Sequence, residues 1–212
     1  MDFAKQRARM VERQLRRRGI ADERVLEAMG AVPRELFVPE RARSRAYADG
    51  ALQIGHDQTI SQPWIVAAIC EALELTGSER VLEVGTGSGY SACVLARVAR
   101  AVVTVERVAE LAASARRQIA SLGVENVEVI EGDGSAGVAE RGPFEAIAVH
   151  ATAPAPPPGL LAQLAPSGRL VVPIAQDGVD MLTVFRRADG EDFQRRVIGP
   201  CRFVPLIGSE GF

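Results

Sequence analysis

The sequence predicts an α/β fold with a mostly parallel seven-stranded sheet, helices on both faces, a C-terminal antiparallel hairpin and an N-terminal helical extension. Two observations carry this prediction. Apolar segments of four or five residues alternate with helical segments between residues 80 and 173, a pattern typical of buried parallel strands. The segment VLEVGTGSGY at 81–90 runs from such a strand through a glycine-rich turn into a helix, as ligand-binding turns of parallel sheets do.

The first 45 residues predict a helical extension, because their apolar residues recur at helical spacing. Gly19 is expected to end one helix and Asp22 to cap the next. Residues 46–62 predict irregular structure. The segment from Trp64 to Leu75 predicts another helix with one apolar face.

The remaining elements follow the alternation of strands and helices. Strands are expected at 81–84, 102–106, 127–131, 145–149 and 169–173, and helices at 90–99, 108–122 and 158–164. Beyond Pro173, the segments Met181–Phe185 and 195–204 predict the antiparallel hairpin, with its turn at Asp189-Gly190.

Length and composition are typical of a single soluble globular domain, residues 1–212, with an extension at 1–62 and a core at 63–212. No apolar run is long enough for a transmembrane helix, and the charged N-terminus does not resemble a signal peptide. Cys70, Cys93 and Cys201 are odd in number and far apart, which favours free thiols in the cytoplasm over disulfides or a metal site.

The run Arg16-Arg17-Arg18 is the one feature that suggests nucleic acid. No aromatic residues interleave with these arginines, so a solvated helix face is the favoured interpretation. We therefore expect no nucleic-acid partner.

The ligand of the glycine-rich turn is indicated by acidic residues at three strand ends. The glycine spacing at 85–89 departs from the G-x-G-x-x-G pattern of dinucleotide sites, and tight packing alone is an alternative for this turn. Glu83, Glu106 and Asp133-Gly134 end neighbouring strands, where ligands bind in such sheets. Acids there suit an amino group, a ribose and an adenine, and they offer nothing to a pyrophosphate. The pattern favours S-adenosylmethionine.

Five segments resemble, in the same order, the protein-L-isoaspartate O-methyltransferase family: MVERQLRRRGI, AVPRELFVP, IGHDQTISQP, VLEVGTGSGY and RFVPL. The likeness runs from residue 7 to residue 206, and QTISQP and VPRELFVP are its most specific parts. It implies a Rossmann-like class I methyltransferase fold, with the acceptor loop at the end of the extension. It also implies methyl transfer to the α-carboxylate of L-isoaspartyl residues in damaged proteins and peptides, by an enzyme expected to be monomeric.

The resemblance also implies the site residues. Ser61 matches the active-site serine, Gln58, Thr59 and Ile60 lie beside it, and Glu106 and Asp133-Gly134 match the ribose and adenine contacts. The full set expected at the cofactor is Gln58, Thr59, Ile60, Glu83, Gly85, Thr86, Gly87, Gly89, Glu106, Arg107, Asp133 and Gly134.

A carboxylate acceptor is already ionised at neutral pH, so the reaction needs no strong general base. We expect Ser61 to orient one carboxylate oxygen while the other attacks, because the enzyme gains chiefly by positioning the reactants and excluding water. Ser61 is also a candidate N-cap for the helix after Pro63.

Several positions depart from the family pattern. Asp57 stands where glycine is usual, Gly50 and Gln53 where arginine and proline are common, Ile207 where a threonine contacts the cofactor, and His150 where residues are small. Asp57 and Gly50 bear on the choice of acceptor, and Ile207 bears on cofactor affinity.

Three alternatives stay open. The first is the same transfer to an aspartate of one dedicated peptide in a biosynthetic pathway. The second is an NAD(P)-dependent oxidoreductase, which the glycine spacing and the lack of a Tyr-x-x-x-Lys motif disfavour. The third is a non-catalytic binding module on the same fold.

Overall fold

A computed structural model describes residues 2–188 and 192–212 of the chain. Its main sheet has seven strands in the order β5-β4-β3-β6-β7-β8-β9. The strands are β3 Arg80–Val84, β4 Ala101–Glu106, β5 Val127–Glu131, β6 Phe144–Val149, β7 Leu164–Gln176, β8 Val179–Arg187 and β9 Phe193–Cys201, and β1 Leu52–Gly55 and β2 Gln58–Ile60 form a separate ribbon. The predicted α/β class and seven-stranded sheet are confirmed.

Strand β3 lies at the centre of the parallel part and sets the position of the ligand site. It pairs in parallel with β4 on one side and with β6 on the other, so the strand order reverses beside it. Parallel sheets bind ligands in the crevice at such a reversal, outside the carboxyl ends of the strands. The glycine-rich turn after Val84 opens into this crevice.

The C-terminal hairpin is also confirmed, because β8 pairs antiparallel with both β7 and β9. Its predicted turn, Asp189-Gly190, lies outside the described residues. The prediction ended the preceding strand at Pro173, whereas β7 continues to Gln176. Proline has no backbone N–H to donate to a neighbouring strand. The carbonyl of Pro173 nevertheless accepts from the backbone N–H of Ala153 at 2.9 Å. The strand continues past Pro173 because its residues stay paired with β8 as far as Gln176.

The helices are α1 Phe3–Met10, α2 Glu23–Ala31, α3 Pro63–Ala72, α4 Tyr90–Ala96, α5 Ala109–Ser121 and α6 Pro158–Ala162. Several of these end earlier than the sequence predicts, as with α4 and α6, because the final turns are not α-helical. Gly19 has φ +94° and ends the first helical run, and the Asp22 carboxylate accepts from the backbone N–H of Arg24. Both capping predictions are therefore confirmed.

The expectation of irregular structure at 46–62 was wrong for the ribbon. Strands β1 and β2 pair antiparallel through a turn at His56-Asp57, where both residues have positive φ, +51° and +56°. Short hairpin turns of this kind usually carry Asn-Gly or Asp-Gly, so the sequence lacks the usual signal.

One hydrophobic cluster joins the extension to the core. It includes Met10, Leu15, Leu26 and Met29 of the extension together with buried residues of α3 and α4, which cover one face of the sheet. A second cluster covers the opposite face. Among the described helices, none has the length and apolar character needed to cross a membrane.

Candidate active site

A cavity of about 290 Å³ lies at the carboxyl ends of β3 and β4. The ribbon β1–β2 and the loop to α3 form one wall, and the C-terminal segment 203–207 forms another. Of the predicted residues, the lining includes Gln58, Thr59, Ile60, Ser61, Gly85, Thr86, Gly87, Glu106, Arg107 and Gly134. The structure therefore brings together residues that lie as much as 76 positions apart in the sequence.

The glycine-rich turn forms the floor of the cavity in a conformation that favours glycine. Gly85 and Gly87 have φ values of +94° and +54°, and a Cβ on Gly87 would lie 3.4 Å from the Ile54 side chain of the ribbon. Gly89 has another role. A Cβ there would lie 3.2–3.3 Å from Ile119 and Ala115 of α5, and Gly89 is not among the lining residues. Close helix packing therefore accounts for this glycine, and its predicted cofactor contact stays a prediction.

Of the three predicted acids at strand ends, Glu106 is the one that lines the cavity. It ends β4, where its Oε2 accepts from the backbone N–H of Gly87 at 2.8 Å and its Oε1 accepts from that of Val108 at 2.9 Å. These two donors fix the carboxylate while leaving further acceptor positions on both oxygens. Paired hydroxyl groups, such as those of a ribose, are suitable donors to it.

Glu83 lies behind the cavity wall and does not line it. Its side chain is fully buried and accepts hydrogen bonds from the hydroxyls of Ser91 and Thr104, the latter at 2.5 Å. The Nε2 atom of His150 lies 3.3 Å from Oε1, without the alignment of a hydrogen bond. A buried carboxylate needs partners, and for Glu83 the structure shows two hydroxyls of the protein itself; its predicted contact with a ligand amino group stays a prediction.

Asp133 is also engaged by the protein. Its two oxygens accept from the backbone N–H groups of Ser135 and Ser209, each at 2.8 Å, and it is not a lining residue. Burial opposes ionisation of Asp133, but the N–H donors of Ser209 and Ser135 outweigh it and lower its pKa. The carboxylate thus ties the end of β5 to the C-terminal segment, and Gly134 alone of the predicted pair reaches the cavity.

Gly134 lies where the main chain passes very close to the sheet. A Cβ on this residue would lie 2.9 Å from Val84 and 3.1 Å from Val105. A side chain at 134 would therefore displace strand residues under the cavity floor.

Ser61 lines the same cavity from the loop between β2 and α3. Within residues 2–188 and 192–212 its hydroxyl makes no hydrogen bond, whereas its carbonyl accepts from Arg34 Nη2 at 2.7 Å. Gln62 takes the N-cap position of α3 without a side-chain capping hydrogen bond, because its amide donates to Asp49 Oδ1 at 2.6 Å. The capping alternative for Ser61 is thus wrong, and its hydroxyl is available to a ligand.

Three of the departures from the family pattern reach the cavity, namely Asp57, His150 and Ile207. Gly50 and Gln53 do not line it. Ile207 is brought there by two backbone hydrogen bonds, because Thr152 donates to Val204 at 2.8 Å and Leu206 donates to Thr152 at 2.7 Å.

Tyr90 was not predicted as a site residue, yet it lines the cavity at the start of α4. It stands where a dinucleotide-binding turn would carry its last glycine. Burial raises the pKa of Tyr90 to about 12, and its hydroxyl donates to Met29 Sδ at 3.7 Å in the extension. A tyrosine in place of that glycine was the signal in the sequence that could have identified Tyr90 as a site residue. Phe203 and Leu206 were also missed individually, although the RFVPL segment contains both.

Comparison with known proteins places this geometry in a family. The family model for protein-L-isoaspartate(D-aspartate) O-methyltransferase matches residues 5–211. A protein-L-isoaspartate O-methyltransferase of Koribacter versatilis is 51% identical over 99% of this chain and 94% of its own length. One from Pelobacter propionicus is 52% identical over 96% of this chain and 91% of its own length.

Solved structures agree. A protein-L-isoaspartate O-methyltransferase superposes with a TM-score of 0.88 at 31% identity, over 97% of this chain and 67% of the other. A Plasmodium falciparum relative, solved with S-adenosyl-L-homocysteine, has a TM-score of 0.80 at 27% identity over 95% of this chain and 98% of its own. The class I methyltransferase fold expected from the sequence is confirmed. The chain belongs to the protein-L-isoaspartate(D-aspartate) O-methyltransferase family.

Proposed function

We propose that this protein transfers a methyl group from S-adenosylmethionine to the α-carboxylate of L-isoaspartyl residues in proteins and peptides. Family membership over residues 5–211 supports the reaction. The observation that carries it is the cavity, which has a fixed carboxylate, Glu106, on one wall and an unengaged hydroxyl, Ser61, on the other. One wall thus suits the cofactor and the other suits the acceptor.

The cavity residues fit the cofactor. Glu106 suits the ribose hydroxyls, the turn at 85–87 lets a ligand approach the main chain, and Gly134 leaves room for a flat ring. Glu83 and Asp133 do not line the cavity, and their hydrogen bonds to Ser91, Thr104, Ser135 and Ser209 stabilise the elements around it. When bound, S-adenosylmethionine supplies the methyl group on a positively charged sulfur.

The residues at the acceptor wall act by orientation. An α-carboxylate is ionised at neutral pH, so no side chain has to remove a proton. We assign the Ser61 hydroxyl to one carboxylate oxygen, which leaves the other free to attack. The ribbon and the C-terminal segment both line the cavity, and displacement of water by the bound reactants would strengthen electrostatic interactions there. Methyl esterification of the isoaspartyl group then permits succinimide formation and return of some normal aspartate.

Proteins and peptides with isoaspartyl residues are the partners in this proposal, and the chain acts as a monomer in the cytoplasm. The arginines that suggested nucleic acid have acidic partners: Arg16 pairs with Glu23, Arg17 with Glu12 and Arg18 with Asp49. Cys70, Cys93 and Cys201 are free thiols, which supports a reducing compartment.

The test compares twin peptides that differ only in carrying an isoaspartyl or a normal aspartyl residue. We expect labelled methyl groups to pass from S-adenosylmethionine to the isoaspartyl peptide, while the aspartyl twin stays essentially unlabelled. Equal labelling of the twins, or labelling only of a normal aspartate in one particular sequence, would overturn the repair function and favour the dedicated-peptide alternative.

A further inference from the structure

Arg34 lies directly behind the acceptor wall. It belongs to the short helical turn Arg34–Phe37 in the extension, and its side chain is completely buried. Its Nε donates to the carbonyl of Ala46 at 2.8 Å, and its Nη2 donates to the carbonyl of Ser61 at 2.7 Å. Its guanidinium carbon lies 4.9 Å from the centre of the Tyr90 ring.

This burial is costly to the fold. Among residues 2–188 and 192–212, no carboxylate lies within ion-pair distance of Arg34, and its Nη1 has no hydrogen-bond partner. Burial lowers the pKa of Arg34. The neighbouring Glu35 is turned away and accepts from Tyr47 and Arg7. A buried cation without a counter-ion costs several kcal/mol, so an apolar residue of similar size would serve the core better.

The contacts of Arg34 join three separate parts of the chain. Ala46 follows the short helical turn Glu40–Arg45, Ser61 lies in the acceptor loop, and Tyr90 begins α4 directly after the glycine-rich turn. A guanidinium group donates in two directions within its plane while its face rests on an aromatic ring. Lysine has the charge but lacks this planar fork. The position of the Ser61 main chain relative to Tyr90 is therefore set through Arg34.

We propose that Arg34 is a positioning residue for the acceptor, which holds the main chain of Ser61 so that its hydroxyl faces the carboxylate to be methylated. Arg34 does not line the cavity, so it acts through Ser61 without touching the substrate. The inference rests on the proposed function, because it assigns a support to the residue that orients the acceptor. A displacement of about 1 Å at a reacting group can lower turnover about 100-fold.

The test uses Arg34→Met, which keeps an unbranched side chain but removes the charge and the donors, and Arg34→Lys, which keeps the charge. We expect kcat/KM for the isoaspartyl peptide to fall about 10- to 100-fold in both variants, with the cofactor Kd within about threefold of wild type. Arg7→Met is the matched control, because Arg7 also lies in the extension and donates to a tyrosine, Tyr47, and to a backbone carbonyl, that of Ala31. Within residues 2–188 and 192–212 it makes no hydrogen bond or ion pair to the acceptor loop, so its kinetic constants should stay near wild type even if the midpoint of unfolding falls.

A double-mutant cycle with Ser61→Ala separates positioning from general stability. If Arg34 acts through Ser61, the double variant should be little slower than Ser61→Ala alone. The inference would be overturned if the losses in kcat/KM of the two single variants multiplied in the double variant. It would also be overturned if Arg34→Met had wild-type kinetics at temperatures below its unfolding transition. Either outcome would leave the proposed function intact. Failure of both Arg34 variants to fold would assign the residue to stability and also overturn it. A wild-type protein without isoaspartyl activity would instead reject the proposed function.

Discussion

The cofactor wall and the acceptor wall of the cavity are built in different ways. The cofactor wall follows from the sheet, because strands β3 and β4 end side by side and Glu106 is fixed by backbone N–H groups of the two following turns. The acceptor wall is the loop at Ser61 together with a two-stranded ribbon outside that sheet, whose residues Gln58, Thr59 and Ile60 are also expected beside the cofactor. Ser61 on this wall is held through its carbonyl by a side chain of the extension.

This difference separates two kinds of dependence. The cofactor wall draws its geometry from strand pairing, so a change at one of its side chains should act locally. The acceptor wall depends on contacts from distant segments, so it should be sensitive to changes that touch no substrate. Variants of the two walls should therefore divide into those that alter cofactor affinity and those that alter turnover.

Glu83→Gln should have the largest effect, and the effect should be on stability. The amide cannot accept from both Ser91 and Thr104 as a carboxylate does, so the free energy of unfolding should fall by about 2–4 kcal/mol. Cofactor Kd should change by less than about threefold, since Glu83 does not line the cavity. Chemical unfolding and calorimetry check both values. A large loss of affinity with unchanged stability would restore Glu83 as a direct ligand contact.

Glu106→Ala should weaken the cofactor wall itself. It removes a charged acceptor from the cavity, and cofactor binding should lose about 1.5–3 kcal/mol, or roughly 10- to 150-fold in affinity. Calorimetry with S-adenosylhomocysteine measures this loss. Glu131→Ala is the matched control, because Glu131 pairs with Glu106 in register at the end of β5 but does not line the cavity. Equal affinities for the two variants would remove Glu106 from the site.

Ile207→Thr should have the smallest effect. Ile207 lines the cavity from the C-terminal segment, and a hydroxyl there should add one hydrogen bond to the cofactor, worth about 0.5–1.5 kcal/mol. Ile207→Val controls for the change of shape without adding a hydroxyl. If the threonine variant binds the cofactor no better than the valine variant, the C-terminal wall makes no polar contact with it.

The sequence predicted the cofactor wall well because that wall depends on local pattern. Apolar strands that end in acidic residues and a glycine-rich turn place Glu106 and the turn at 85–87 in one crevice, whatever the details of packing. Side-chain partners were not predictable in the same way. Glu83 and Asp133 end strands just as Glu106 does, and their internal partners at Ser91, Thr104 and Ser209 appear only once the chain has folded.

The acceptor wall was predicted only through resemblance. Ser61 and residues 58–60 were placed by a motif, while the ribbon that carries them was expected to be irregular, because its turn at His56-Asp57 lacks the usual glycine. Arg34 lies in the family segment VPRELFVP, but its role was not predicted, since an arginine after a proline in the extension suggests an exposed position. Its importance follows from a contact between positions 27 residues apart, which no local pattern contains.

The division between the two walls is tested most directly by Ser61→Ala, with cofactor Kd and isoaspartyl turnover measured on the same preparation. We expect turnover to fall about 10- to 1,000-fold, because one oriented polar contact to the acceptor is lost. The midpoint of unfolding should stay near wild type, since the hydroxyl makes no hydrogen bond within residues 2–188 and 192–212. Cofactor Kd should also stay near wild type, because we assign that hydroxyl to the acceptor. Unchanged turnover, or a loss of cofactor affinity equal to the loss of turnover, would contradict the separation of the acceptor wall from the cofactor wall.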